Sequence, residues 1–361
     1  MMLSVPRMAG TGGFMKIVSG MLISLAACMA LSCAHVRPVT GTDGNGLKDS
    51  VAFMEEIELG GTRQWIFARG QDASNPVLLW LDGGPGGSEI GWVRSYLEPL
   101  EKSFTVVCWD QRGTGRSWSA VRNKKDLRVE DYVSDTIELS RMLARRFGKE
   151  KIYIAGHSGG TIWGLMAVGR NPELFAAYVG VAQQVNAMEN DRIGWDMVRS
   201  GAAVEGKTAV VKKLDENGPP PYGIDGGKKY FYLFSRLHHY SPHAPNAGLM
   251  DSWLMLKATE HSPADNINLL RGLVAGVNIV YPQLEDLDFE RDLAEVNCPV
   301  FFAVGRYDMT CVGTLTERYY QKLRAPLKGL EWFEFSGHNP CYTESEKFIS
   351  FMTDTVLGKT R

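Results

Sequence analysis

No sign of charge dominates this chain. Its 39 Lys and Arg stand against 41 Asp and Glu, a formal net charge of -2 over 361 residues. No basic stripe interrupts that balance, so nucleic acid is not an expected partner. No group of His, Cys, Asp and Glu has metal-ligand spacing, which leaves neither a metal nor an organic cofactor implied. Internal repeats are missing too, and with them the solenoid and propeller architectures. Cysteine is sparse, at six residues. Cys28 and Cys33 fall in an N-terminal apolar stretch, while Cys108 and Cys298 lie in or beside apolar strand-like runs that suit buried free thiols. What remains is ordinary for a globular protein, 44% hydrophobic and 22% charged, and long enough for one large domain with an insertion or for two domains.

The N-terminus departs from this pattern. After Lys16 comes IVSGMLISLAACMALSC, with no charged residue until Arg37. The run is short for a membrane-spanning helix, and its basic start, apolar middle and small-residue end read as a secretory signal over residues 1–33. LAAC, ending at Cys28, resembles the bacterial lipobox, in which the cysteine receives lipid and becomes the mature terminus; ALSC, ending at Cys33, is a weaker second fit. The expectation is an exported cell-envelope protein, membrane-anchored through a lipid on Cys28 or Cys33, with a plain signal or an uncleaved anchor as alternatives. Residues 34–50, containing TGTDGNG, read as a flexible tether.

From residue 51 onward, strands and helices alternate. FMEEIEL and TRQWIFARG flank the turn dipeptide Gly60-Gly61, and NPVLLWLD and FTVVCWD read as buried strands. Residues 129–148 show helical spacing, with acids first and arginines last, the charge order a helix dipole favours. KIYIAG and AAYVGVA are further strands, with a helical run between them. The alternation stops near residue 185 and resumes near 298 with CPVFFAVG, a helix, LEWFEF and a last helix. The pattern predicts an α/β class, a mostly parallel sheet covered on both faces. Its core spans 51–184 and 298–361, with a mainly helical cap over 185–297.

Within that frame, Ser158 sits in GHSGG between a strand and a helix, where a nucleophile elbow needs small neighbours; the alternative is a loop that is merely glycine-rich. A serine hydroxyl needs a base to take its proton. Of the seven histidines, only His338 follows the last strand in a loop, and Asp308 ends the strand before it. In that position a carboxylate fixes the imidazole's tautomer and stabilises the imidazolium. LDGGPGGS, after the strand VLLWL, is the expected oxyanion loop, with backbone N–H donors at Gly84 and Gly159.

Taken together, GGPGG, WDQRGTGRS, GHSGG, GRYD and SGH resemble the proline iminopeptidase branch of the α/β-hydrolase superfamily. The resemblance implies that fold, Ser158 as nucleophile, Asp308 as acid, His338 as base and Gly84 and Gly159 as oxyanion donors. It makes Asp110 and Arg112 structural residues of the site's floor. Its expected substrate is a short peptide with N-terminal proline or another small residue. An esterase or amidase for small acyl substrates, or a non-catalytic binding protein on the same fold, are the alternatives. Three departures stand out. Asp82 replaces the usual histidine before the oxyanion loop. Gly159 replaces an aromatic residue and is expected to widen the pocket. The cap acids that would take a free amine are unassigned among Glu189, Asp191, Asp251 and Glu260. If the triad assembles, Cys311 and Cys341 come close together, and export suggests a disulfide between them.

Overall fold

The computed structural model describes residues 34–240 and 252–361. The leader with Cys28 and Cys33, His243 and Asp251 lie outside the described residues. β1 (Val51–Leu59) and β2 (Thr62–Gly70) form the expected hairpin. Gly60 and Gly61 both turn at positive φ, which matches the twist of the flanking strands. β3 (Val77–Leu81), β4 (Thr105–Asp110), β5 (Ile152–His157), β6 (Phe175–Val181), β7 (Val300–Gly305) and β8 (Lys328–Phe333) complete one eight-stranded sheet. Its order is β1-β2-β4-β3-β5-β6-β7-β8, antiparallel at β1–β2 and β2–β4 and parallel elsewhere.

Strands β3 to β7 are buried along their length save Ala176 of β6, so they need apolar side chains on both faces. One face is covered by α2 (Val129–Arg146), α3 (Gly160–Arg170) and α8 (Gly313–Lys322), through Tyr132, Leu139, Trp163 and Tyr319. The other is covered by α1 (Ile90–Tyr96) and α9 (Ser345–Ser350), through Ile90, Val93 and Phe348. Parallel strands put their carboxyl ends at one edge, and every loop expected to carry chemistry leaves from that edge.

Between β6 and β7 lie the cap helices α4 (Ala187–Val204), α5 (Thr208–Asn217), α6 (Gly227–Tyr240) and α7 (Pro263–Ala275). They close a small core of their own around Val198, Leu214, Leu233 and Leu237. α7 starts on a capping box between Ser262 and Asp265, which satisfies two backbone donors at once. Among the described residues no helix is long and apolar enough to cross a membrane. The stretch expected to be a flexible tether is instead folded against the body. Val39 is buried, Thr40 pairs with Gly46, and the N–H of His35 donates to the carbonyl of Thr259. One apolar residue with a pocket to fill suffices to pin a polar, glycine-rich segment.

Candidate active site

The elbow is a strained turn. Ser158, directly after β5, holds φ at +52°, a conformation side chains rarely adopt, and its N–H donates to the carbonyl of Val181. The flanking glycines are there because backbone crowds them. A Cβ on Gly160 would stand 2.3 Å from the carbonyl oxygen of Leu81, and one on Gly156 would stand 2.6 Å from that of Gly160. The motif is therefore a packed strand-to-helix turn and not a loose glycine-rich loop.

The structure brings the three expected side chains together. His338 Nε2 lies 2.8 Å from Ser158 Oγ. Its Nδ1 lies 3.0 Å and 3.1 Å from the two carboxylate oxygens of Asp308. With Nδ1–H donated to the carboxylate, Nε2 turns a lone pair toward the Ser158 hydroxyl. Asp308 is buried and accepts the N–H groups of Thr310 and Cys311, so its loop is fixed by its own carboxylate. A cap residue with no motif secures that loop from the other side. The Asn190 amide donates to the carbonyl of Thr310 and accepts the N–H of Val312.

The two expected oxyanion donors are neighbours. A Cβ on Gly159 would stand 2.6 Å from Gly84 O and 3.2 Å from Gly84 N. The oxyanion loop thus fills the space beside Gly159, and the expectation of a widened pocket is corrected. Only glycine lets the loop approach so closely. Asp82, at the start of the loop, is fully buried. Burial first, then the charges of Glu89 and Asp110, push its carboxyl well above the usual range, which favours the neutral acid.

Glu89 is the residue sequence reasoning missed. Its carboxylate accepts the N–H of Gly83, the indole N–H of Trp80 and the hydroxyl of Tyr342, and it lies 2.7 Å from His157 Nδ1. The other nitrogen of His157, Nε2, lies 3.0 Å from the backbone carbonyl of His338. Deeper in the floor, Asp110 accepts from His261 Nε2 and from the N–H of Arg116. Arg112 grips Asp135 through two bonds of 2.6 Å.

The disulfide expectation is wrong: Cys311 and Cys341 are both free and buried. They face different surroundings. The Cys311 thiol neighbours Ser158 and Asp308, whereas Cys341 packs into the apolar layer of α9 and faces Glu89. Burial, reinforced by those carboxylates, pushes both thiols well above their ordinary value and keeps them protonated. Among the described residues one trio has metal-ligand spacing, the Asp308 carboxylate, Cys311 thiol and His338 imidazole, within 4.8 Å of one another. Two of its members, Asp308 and His338, already hydrogen-bond to each other.

Of the cap acids, Glu189 pairs with Arg318 and Glu260 with Arg94. Asp191 has no cationic partner among the ion pairs of the described residues. It accepts the Tyr281 hydroxyl at 2.9 Å on each oxygen, and burial pushes its carboxyl up to about 7. Asp191, Tyr222, Tyr230 and Tyr281 line a partly open cavity of about 20 Å³. Asp191 also acts electrostatically on the Cys311 thiol, which neighbours Ser158.

Known proteins agree with this architecture. A family model for the alpha/beta hydrolase fold matches residues 76–202. A protein of Bacillus subtilis (strain 168) named probable aminopeptidase YbaC is 31% identical over 310 residues, covering 85% of this chain and 96% of its own. A proline iminopeptidase of Heyndrickxia coagulans is 24% identical over 282 residues, covering 77% and 89%. Among solved structures, proline iminopeptidase of Mycobacterium smegmatis superposes with a TM-score of 0.62 at 15% identity, over 85% of this chain and 99% of that one. The strand order, the strained elbow and these likenesses together make the chain a member of the α/β-hydrolase superfamily.

Proposed function

We propose that the chain is a serine hydrolase acting through Ser158, and within that class an aminopeptidase of proline iminopeptidase type. The observation that carries the first part is the 2.8 Å contact between Ser158 Oγ and His338 Nε2, backed by Asp308. His338 takes the hydroxyl proton as Ser158 attacks the substrate carbonyl carbon. The oxyanion receives the N–H groups of Gly84 and Gly159, and the imidazolium returns its proton to the leaving amine. Water then repeats the sequence on the acyl-enzyme and frees Ser158.

The second part is supported by Asp191. A carboxyl buried among three tyrosine rings, within electrostatic reach of the Cys311 thiol that neighbours Ser158, suits the ammonium of a peptide's N-terminus, which would restore its charge. The cavity is of the size that holds one water, and an ammonium group is no larger. The names carried by the Bacillus and Heyndrickxia relatives point the same way.

The test compares prolyl and alanyl p-nitroanilides, their N-acetylated forms and p-nitrophenyl acetate, alongside labelling by a fluorophosphonate. The expected result is labelling that disappears in Ser158→Ala and turnover that requires a free amine. Turnover of the ester alone leaves a small-acyl esterase. A wild-type protein that takes no label is a binding protein on a hydrolase fold.

A further inference from the structure

The mechanism above leaves one buried ion pair unused. His157 directly precedes the nucleophile, yet its ring turns away from Ser158 toward two acceptors. Glu89 receives donors from Gly83, Trp80 and Tyr342 besides facing the imidazole; burial opposes its charge, but the imidazole and the donated bonds outweigh it and hold the group as a carboxylate, below its ordinary value. The carbonyl of His338 can only accept. Both ring nitrogens of His157 therefore donate, and the ring is an imidazolium.

We infer that His157 is a positioning residue for the base. Held by Glu89, its Nε2–H fixes the backbone carbonyl of His338 and hence the loop on which the proton acceptor rides, and loss of that proton sets the alkaline limit of activity. The inference rests on the reading of Ser158 and His338 as nucleophile and base. Three elements face the pair. The oxyanion loop brings Asp82 to Glu89; the loop and helix after β8 bring His338, Cys341 and Tyr342; the loop after β7 brings Asp308. Asp82 is held as the neutral acid, and burial keeps Cys341 and Tyr342 protonated. Glu89 is thus the adjacent fixed charge, with Asp308 farther off. Burial alone would press His157 toward neutrality, but the charge and hydrogen bond of Glu89 and the His338 carbonyl raise it above the ordinary histidine value.

The sign follows. A histidine held above its ordinary value keeps its proton through neutral pH and loses it as pH rises further. Neutral His157 retains Nδ1–H for Glu89 and turns a lone pair on the His338 carbonyl. Reactivity of Ser158 therefore falls on the alkaline side, as His157 loses its proton.

The experiment measures the fluorophosphonate labelling rate of the full chain from about pH 5 to about pH 10, bracketing the histidine range, in wild type, His157→Gln and His157→Asn. Glutamine puts an uncharged donor near the place of Nε2, and asparagine near the place of Nδ1. The expected wild-type rate falls on the alkaline side. His157→Gln loses the alkaline fall. His157→Asn is slower by roughly ten- to a hundredfold, the worth of a hydrogen bond from a charged donor. An asparagine variant as fast as the glutamine one, or an alkaline fall that survives in His157→Gln, overturns the inference. The wild-type profile also decides without any variant, since a rate that stays level to about pH 10 refutes it. Label that persists in Ser158→Ala would instead overturn the nucleophile assignment, and the inference with it.

Discussion

Replacing Asp191 with asparagine should stabilise the protein while removing its preference for a free amine. The carboxyl's ordinary value is 3.8, and burial raises it to about 7 against the smaller opposing effect of hydrogen bonds from Tyr281 and Asn190. That rise, at about 1.4 kcal/mol for each tenfold gain in proton affinity, is a cost of up to about 4 kcal/mol for holding the ionised form in the folded state. The folded protein holds this proton more tightly than the unfolded chain. Below pH 3.8 the group therefore costs nothing. Stability falls as pH climbs from there to about 7, and above that the full cost stands. Asparagine keeps the acceptor for Tyr281 and never ionises. Its two N–H groups need partners, which reduces the gain to between about 1 and 4 kcal/mol. Urea unfolding at two pH values, one near the carboxyl's ordinary range and one above about 7, measures it. Hydrolysis of prolyl and N-acetylprolyl anilides measures the functional loss. A stability difference that does not grow with pH refutes the buried-carboxylate argument. An unchanged ratio between the two anilides refutes the amine subsite.

Two substitutions probe the support beneath the site. In Gly276→Ala the new methyl would stand 2.0 Å from the carbonyl oxygen of Pro85, so either the cap helix or the oxyanion loop must move. The expectation is a loss of about 1–3 kcal/mol in unfolding free energy. With it comes roughly a hundredfold slower fluorophosphonate labelling, as a donor is displaced by about 1 Å; wild-type values of both would show the contact to be slack. Asp135→Ala strips Arg112 of its bidentate partner in a buried setting, and chemical denaturation should register a loss of about 3–5 kcal/mol. A loss under about 1 kcal/mol would mean that Asp131, 3.5 Å from Arg112, takes over.

The sheet and the order Ser158, Asp308, His338 were legible because local signals carry them. Apolar runs in β3 to β7 mark strands buried on both faces, and a parallel fold then assigns each strand's carboxyl end to one edge. The rest was illegible because it depends on which distant residues meet. Glu89 looks like any acid at a helix start, and its role appears only when Tyr342, 253 positions away, closes over it. Asp191 sits among other acids on α4, and nothing local distinguishes it from Glu189, which ends on Arg318 near the surface. The disulfide expectation failed on side-chain direction, since Cys311 and Cys341 occupy loops that meet while their thiols face different layers. Gly159 was misread for the same reason: its missing side chain makes room for Gly84 and leaves none over.

These contacts change what the cap is. A lid that only screens the substrate would touch the core through side chains free to slide. Here Asn190 of α4 carries the loop of the acid. Gly272 and Gly276, within and after α7, meet the oxyanion loop backbone to backbone. His261, just before α7, holds Asp110 in the floor, Arg116 reaches Asp265, and Glu260 holds Arg94 of α1. The insertion therefore supports both the loop of Asp308 and the loop of Gly84 to Gly87. Substitutions in α4 or α7 that alter substrate choice should then lower kcat together with KM effects, because the same backbone positions both. Substitutions in α5, which packs into the cap's own core through Leu214, should leave the chemical step alone. The contrast between the two sets of helices separates a cap that only selects from one that also builds the site.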